Sequence, residues 1–280
     1  MIDKEQMYSS AGKRKFRTHF RNFIQSELLE DMHRSEKSEV RVLCLPSAYG
    51  KEIEEVYTPL GIDDNQIVAV EHDTAQIPKI IRRYPELLNV HNLDVCLQLS
   101  DVPDGPFDVL SFDLCRHFDV RLFVQLSKSR NIMKDSFVLT TTMMKGREHA
   151  GVKANIYSFN PFYDLEEARH RVVKSAVHRY LCEPYSMNIV ASEHYEYISA
   201  FTPFMCDIFK IEKGDDSYES RVFLGPKMRY PGKTNNRSGY VRTLIDKGCS
   251  TSEILKRLPD ITSKSVDGIR AAYTREIERS

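Results

Sequence analysis

Between residues 40 and 141, short aliphatic runs alternate with stretches of helical length. The runs fall at 40–45, 66–70, 88–90, 107–111 and 136–141, with helical patterns at 53–59, 75–84 and 120–131. Strands separated by helices form βαβ units, and such units build a parallel sheet. The fourth run follows the turn Pro103-Asp104-Gly105-Pro106. After residue 160 the rhythm changes. One long helix is predicted over 165–181, then extended runs at 188–199 and 204–213, parted only by Ala200-Phe201-Thr202-Pro203. A parallel crossover needs a dozen residues or more, so these two runs must pair antiparallel as a hairpin. The fold class is therefore α/β: parallel strands finished by a C-terminal antiparallel hairpin.

Upstream, Phe16, Phe20, Phe23, Ile24 and Leu28 fall on one stripe, which predicts a helix over 13–33 packed on the sheet. Its cluster Lys13-Arg14-Lys15-Phe16-Arg17 reads first as a solvated polar face and second as a phosphate contact. Residues 214–237 are rich in Gly, Pro, Asp, Ser and Asn and read as a linker. The expected organisation is a helical extension over 1–38, an α/β domain over 39–213, that linker, and a small all-α domain over 238–280.

The tail carries its own signals. Val241, Leu244 and Ile245 form one helical face, stopped by Gly248. Ser250 with Glu253 is a capping box opening a second helix, with Ile254, Leu255 and Leu258 inward. Thr262 caps a third, lined by Val266, Ile269, Tyr273 and Ile277. Short helices joined by tight turns have helix-turn-helix geometry. The net charge of zero hides an asymmetry. Residues 221–280 hold 13 Lys and Arg against 6 Asp and Glu, whereas residues 39–220 hold 19 against 28. A basic tail is where a nucleic-acid partner would bind.

The segments VRVLCLPSAYGKEI, IVAVEHD, NLDV, FDVLSFD and FVLTTT, followed by the hairpin in EHYEYISAFTPFMCDIFKI, resemble the class I S-adenosylmethionine-dependent methyltransferases over about residues 39–213. The resemblance implies a Rossmann-like sheet of seven strands with S-adenosylmethionine as cofactor. It implies a binding loop of Pro46, Ser47, Ala48 and Gly50, with Glu71 on the ribose hydroxyls beside His72, and Asp94 on the adenine. It also implies Ser111 at the cofactor's edge, with Asp113 and His117 as the candidate catalytic pair. The chain departs from the family in its loop, which has one glycine and a bulky Tyr49, and from the family's amino-methylating nucleic-acid enzymes in having no proline after the fourth strand. The tail resembles homeodomain-like helix-turn-helix units. That likeness implies DNA contacts from Arg242, Lys264, Ser265, Asp267, Arg270 and Arg275.

Two functions follow as expectations. One is a methyltransferase acting on nucleic acid and targeted by its tail. The other is a catalytically degenerate methyltransferase-like fold that binds DNA or serves assembly and regulation. The six cysteines, at 44, 96, 115, 182, 206 and 249, form no CxxC pair, so no metal is expected. No apolar run could span a bilayer and the N-terminus lacks a signal-like segment, so a cytoplasmic, membrane-free chain is expected, alone or as a homo-oligomer.

Overall fold

The computed structural model describes residues 10–47, 49–114, 116–145, 165–199, 202–214 and 250–257, with positions 245, 266, 267 and 271. The chain divides into two compact units, residues 1–148 with 176–220 and residues 149–175 with 221–280. The sheet belongs to the first.

Its seven strands are β1 (Val42–Cys44), β2 (Ile67–Glu71), β3 (Asn89–Asn92), β4 (Phe107–Asp113), β5 (Met133–Met144), β6 (Met187–Ser199) and β7 (Thr202–Lys213). They lie in the order β3-β2-β1-β4-β5-β7-β6. The first five are mutually parallel, and β7 runs antiparallel to both β5 and β6. This is the α/β Rossmann-like sheet with an antiparallel terminal hairpin that the spacing of the runs predicts. Val42, Leu43 and Cys44 are all fully buried. A central parallel strand is covered on both faces, so its sequence is continuously apolar rather than alternating. Cys44 stands opposite Ala69 on β2 and Ser111 on β4. Further along, Asp113 faces Thr142, Thr142 faces Cys206, and Cys206 faces Tyr195.

The strand boundaries shift from those in the sequence. β1 is shorter than predicted because the Arg41 N–H donates to Asp108 Oδ2 at 2.8 Å instead of joining the ladder. β5 is longer because β7 pairs with it from Ser136 to Met144. Between β3 and β4 a short helix, α4 (Val95–Gln98), lies where the sequence shows no helical period. The other helices of this unit are α3 (Ile77–Arg83), α5 (Val120–Lys128) and α7 (Glu183–Tyr185), while α6 (Leu165–Val177) lies mostly in the second unit.

The N-terminal helix α1 (Ala11–Ile24) continues through a wider π-helical turn to Leu29, and a separate short turn of helix, α2, covers Arg34–Lys37. Phe16, Phe20, Phe23, Ile24, Leu28 and Leu29 all enter the main core. Phe16 stacks on Tyr197 of β6 at 6.1 Å between ring centroids, and Phe20 meets Tyr57 edge-on at 6.5 Å. Gly12 lets the first turn lie against β6, since a Cβ there would come within 2.8 Å of the Tyr197 Cβ. The solvated basic face expected here is half corrected. Arg14 and Lys15 are exposed, but Lys13 and Arg17 are buried, at 6% and 5% exposure. Positions 13, 16, 17 and 20 share one side of a 3.6-residue period, so the cations turn inward with the phenylalanines.

In the second unit, α8 (Thr251–Arg257) opens with the capping box the sequence shows. The Glu253 N–H donates to Ser250 Oγ at 3.3 Å, and the Ser250 N–H donates to Glu253 Oε2 at 2.8 Å. Ile254 and Val266 are buried, as their spacing predicts. Most of the expected tri-helical domain lies outside the described residues. No described helix is long and apolar enough to cross a membrane.

Phe20 is 1% exposed where α1 meets the sheet. Phe20→Ala should cost about 3–5 kcal/mol, the range for truncating a core aromatic, measured by equilibrium denaturation.

Candidate cofactor and active site

Strand order reverses between β1 and β4, and ligands of open α/β sheets bind at the carboxyl ends of the strands beside such a reversal. The register brings the predicted residues to that one edge. Pro46 and Ser47 leave β1, Glu71 and His72 end β2, Ser111 and Asp113 end β4, and Asp94 follows β3.

The loop after β1 makes its tight turn with few glycines. Ser47 takes φ 54° and Gly50 takes φ 55°, both left-handed. Serine thus stands where a glycine more often supplies that conformation. The Gly50 N–H lies 3.1 Å from Pro46 O, closing the turn. Ala48 lies outside the described residues. The space against Gly50 is filled by Tyr84, from the end of α3. A Cβ on Gly50 would come within 2.1–2.3 Å of the Tyr84 ring. The Tyr84 hydroxyl lies 3.1 Å from Gly50 O and 3.0 Å from Glu54 Oε1. The ring packed on this glycine belongs to Tyr84, which the sequence did not single out.

Glu71 ends its strand, and its side chain is only 13% exposed. Its Oε1 accepts the Asp73 N–H at 2.8 Å and lies 3.2 Å from His72 Nδ1. Asn92 ties the ends of β2 and β3 together through Nδ2, which donates to Glu71 O at 2.8 Å. Asp94 caps α4, accepting the Cys96 N–H at 2.8 Å, and Arg116 reaches its Oδ1 at 3.3 Å. Asp119, the cap of α5, accepts the Arg121 N–H at 3.0 Å and is held below the usual carboxylate range by hydrogen bonds from Arg121 that outweigh its burial.

At the end of β4 lies a polar interior that the sequence did not reveal. Asp113 is ion-paired with Lys13 of α1. One turn on, Arg17 bonds Glu55 Oε2 at 3.0 Å. Beside them the Glu52 carboxyl accepts the Tyr57 hydroxyl and hydrogen-bonds Ser111. Burial raises Glu52 above its ordinary value, with Asp113 adding to the rise. Burial likewise pushes the Cys44 thiol and the Tyr57 hydroxyl well up. Thr140, opposite Ser111 on β5, is 2% exposed, and its hydroxyl has no hydrogen-bond partner. His117 is partly buried, with Nδ1 3.4 Å from Met144 O. A faint signal for this cluster exists in the sequence: Glu52 interrupts the apolar face of its helix beside Ile53 and Val56.

Of the predicted DNA contacts, Arg242, Lys264, Ser265, Arg270 and Arg275 lie outside the described residues. Asp267 is exposed, and its Oδ1 accepts the Thr251 hydroxyl at 3.1 Å.

No family model matches the chain, and no curated protein matches it. Among solved structures it is similar to the plantazolicin methyltransferase BamL, at 9% identity and a TM-score of 0.49 over 75% of this chain and 88% of that one. It is also similar to a SAM dependent methyltransferase from Archaeoglobus fulgidus, at 17% identity and a TM-score of 0.44 over 74% and 97%.

Glu52 links the site to pH. Its carboxyl is raised in the folded chain, so the stability it contributes is complete below the ordinary value of 4.5 and is lost as pH rises through the raised one. Glu52→Gln keeps the shape and removes the titration. The variant should lose less stability than the wild type as pH rises above 4.5, read from denaturation midpoints.

Proposed function

We propose that this chain is an S-adenosylmethionine-dependent methyltransferase that acts on nucleic acid, DNA before RNA, and is directed there by its basic tail. The observation that carries the reading is the pairing of a left-handed loop at Ser47 with an acid at the end of the neighbouring strand, Glu71. The backbone turns tightly enough for a ligand to approach it, and the carboxylate can accept two ribose hydroxyls. Asp94, near the end of β3, fits an exocyclic amine. These residues suit an adenosyl group, and the cofactor when bound supplies an activated methyl.

The chain's own part in the reaction is binding, orientation and proton handling. Glu71 and the loop hold the ribose side. Ser111 and Asp113 line the β4 edge, where a target atom would be oriented. His117 can take up the proton that a nitrogen or oxygen acceptor sheds. Across residues 221–280 the excess of 7 positive charges supports an electrostatic contact with phosphates.

A second reading, a degenerate fold that binds without transferring, is favoured by one observation: Asp113 is already paired with Lys13. Calorimetric titration with S-adenosylmethionine and S-adenosylhomocysteine, alongside methyl transfer to duplex DNA, separates the two. Binding with transfer supports the enzyme, binding without transfer supports the second reading, and binding of neither removes the cofactor from both. Glu71→Gln should weaken cofactor binding by about 1–3 kcal/mol, the scale of hydrogen bonds to a charged group. An unchanged affinity would overturn the ribose role.

The tail makes its own prediction. Duplex affinity should fall steeply between low and moderate salt, as neutralised phosphates release counterions. Lys264→Ala and Arg270→Ala should each weaken binding whatever the sequence, and each should lower the salt slope by about 1. Fluorescence anisotropy at two salt concentrations checks both.

A further inference from the structure

Two helix starts at the carboxyl edge carry the same kind of cap. Asp94 caps α4 and Asp119 caps α5, each by accepting the backbone N–H two residues on. Arg116 reaches both acids. Its Nη2 donates to Asp94 Oδ1 at 3.3 Å, and its Nη1 lies 3.9 Å from Asp119 Oδ2. One planar guanidinium therefore spans the two caps, a reach that comes from its fork of donors and not from its charge alone. The backbone of this residue is fixed as well. Arg116 O accepts the Met144 N–H at 2.9 Å, at the end of β5, and the neighbouring His117 Nδ1 lies 3.4 Å from Met144 O. The guanidinium thus comes to Asp94 from a segment pinned to the strand beside β4.

The two acids are held with different firmness. Asp119 is gripped by Arg121, whose N–H and Nε both reach Oδ1 at 3.0 Å and whose Nη2 reaches Oδ2 at 2.6 Å. It is the anchor. Asp94 is held by the Cys96 N–H at 2.8 Å and by Arg116, both on Oδ1. Among the described residues, every hydrogen bond to the Asp94 carboxyl falls on that oxygen and none on Oδ2. A carboxylate turns easily about its last torsion. A second donor on Oδ1 opposes the turn, so Oδ2 keeps one direction. The Arg116 and Asp94 side chains are 35% and 27% exposed, and ion pairs this open to water contribute little to stability. The contact is suited to setting a direction more than to holding the fold.

We infer that Arg116 is a positioning residue: it fixes Asp94 so that Oδ2 stands as the acceptor for an exocyclic amine, and the crevice thereby selects an aminopurine ligand over the corresponding oxopurine. The selection rests on the reading of Asp94 as the adenine contact, whereas the positioning of Asp94 does not. An amine turned to Oδ2 supplies the missing donor. A carbonyl oxygen in the same place sets acceptor against acceptor, and sites built to hydrogen-bond one partner reject the mismatched one strongly. A carboxylate free to turn would swing away from the mismatch and lose part of that discrimination.

Two arms of one experiment test the two levels separately. The first uses no ligand and follows amide hydrogen exchange in the wild type and in Arg116→Gln. The Cys96 N–H should exchange severalfold faster in the variant. The Arg121 N–H, capped by the anchored Asp119, and the Leu110 N–H of β4 should keep their rates. An unchanged Cys96 rate, or equal loosening at all three, overturns the positioning role. If Arg116→Gln does not fold, Arg116→Lys, which keeps the charge without the fork, gives the same comparison. The second arm measures S-adenosylhomocysteine against S-inosylhomocysteine by calorimetry. The wild type should prefer the adenosyl ligand by about tenfold or more, the scale of one hydrogen bond to a charged group, and Arg116→Gln should lose most of that preference. Equal affinity of the wild type for the two ligands, or a preference that Arg116→Gln leaves intact, overturns the selection. If neither ligand binds the wild type, the cofactor reading fails and the selection with it, and the Cys96 rate alone decides whether Arg116 positions Asp94.

Discussion

The reversal of strand order beside β1 governs everything else in the first unit. β1 has β2 on one side and β4 on the other, all three parallel. From β1 to β2 the chain progresses one way across the sheet, and after β3 it returns to the other side. No single helix can cover both flanks of the gap that this leaves at the carboxyl ends. The polar residues the chain places at that edge, Ser47, Glu71, Asp94, Ser111 and Asp113, would be costly in the middle of the strands. At the edge they meet backbone donors, helix starts and side chains from neighbouring elements.

The second constraint is the amount of charge the same edge brings indoors. Lys13, Arg17, Glu52 and Asp113 lie close to the apolar packing of α1 on the sheet. Burying an isolated charge there would be prohibitive, and the structure meets the problem in two ways. The cations are paired, with Asp113 and with Glu55. The remaining acid, Glu52, is bonded by hydroxyls and raised by burial. Such an interior is seldom the most stable solution, because apolar side chains of similar volume often do as well or better.

Tyr84 shows the same economy at the β1 loop. A glycine usually permits a ligand to approach the backbone, and here Gly50 permits an aromatic ring of the chain itself to do so. Arg83 and Lys51 bind Glu54 at 2.5 and 2.9 Å and hold the neighbourhood of that ring in place. The departure from a glycine-rich loop is therefore not simply a loss of space. Ser47 supplies the left-handed turn, and Tyr84 supplies the packing.

Local patterns in the sequence determined the elements. The period of the aliphatic runs marked five parallel strands, and four residues between the last two runs forced a hairpin. Ser250 and Glu253 marked the start of a helix, and the phenylalanine stripe marked α1. Each of these is a relation between residues a few positions apart, and backbone geometry alone fixes what such spacings can do. Tertiary structure decided the partners. Lys13 meets Asp113, Arg17 meets Glu55, and Tyr84 meets Gly50 across 34 to 100 residues of chain. Helical spacing placed Lys13 and Arg17 on the same side as the phenylalanines, but that Asp113 awaited Lys13 depended on the register of β4 beside β1. That register is set by the packing of whole elements, and no local period encodes it.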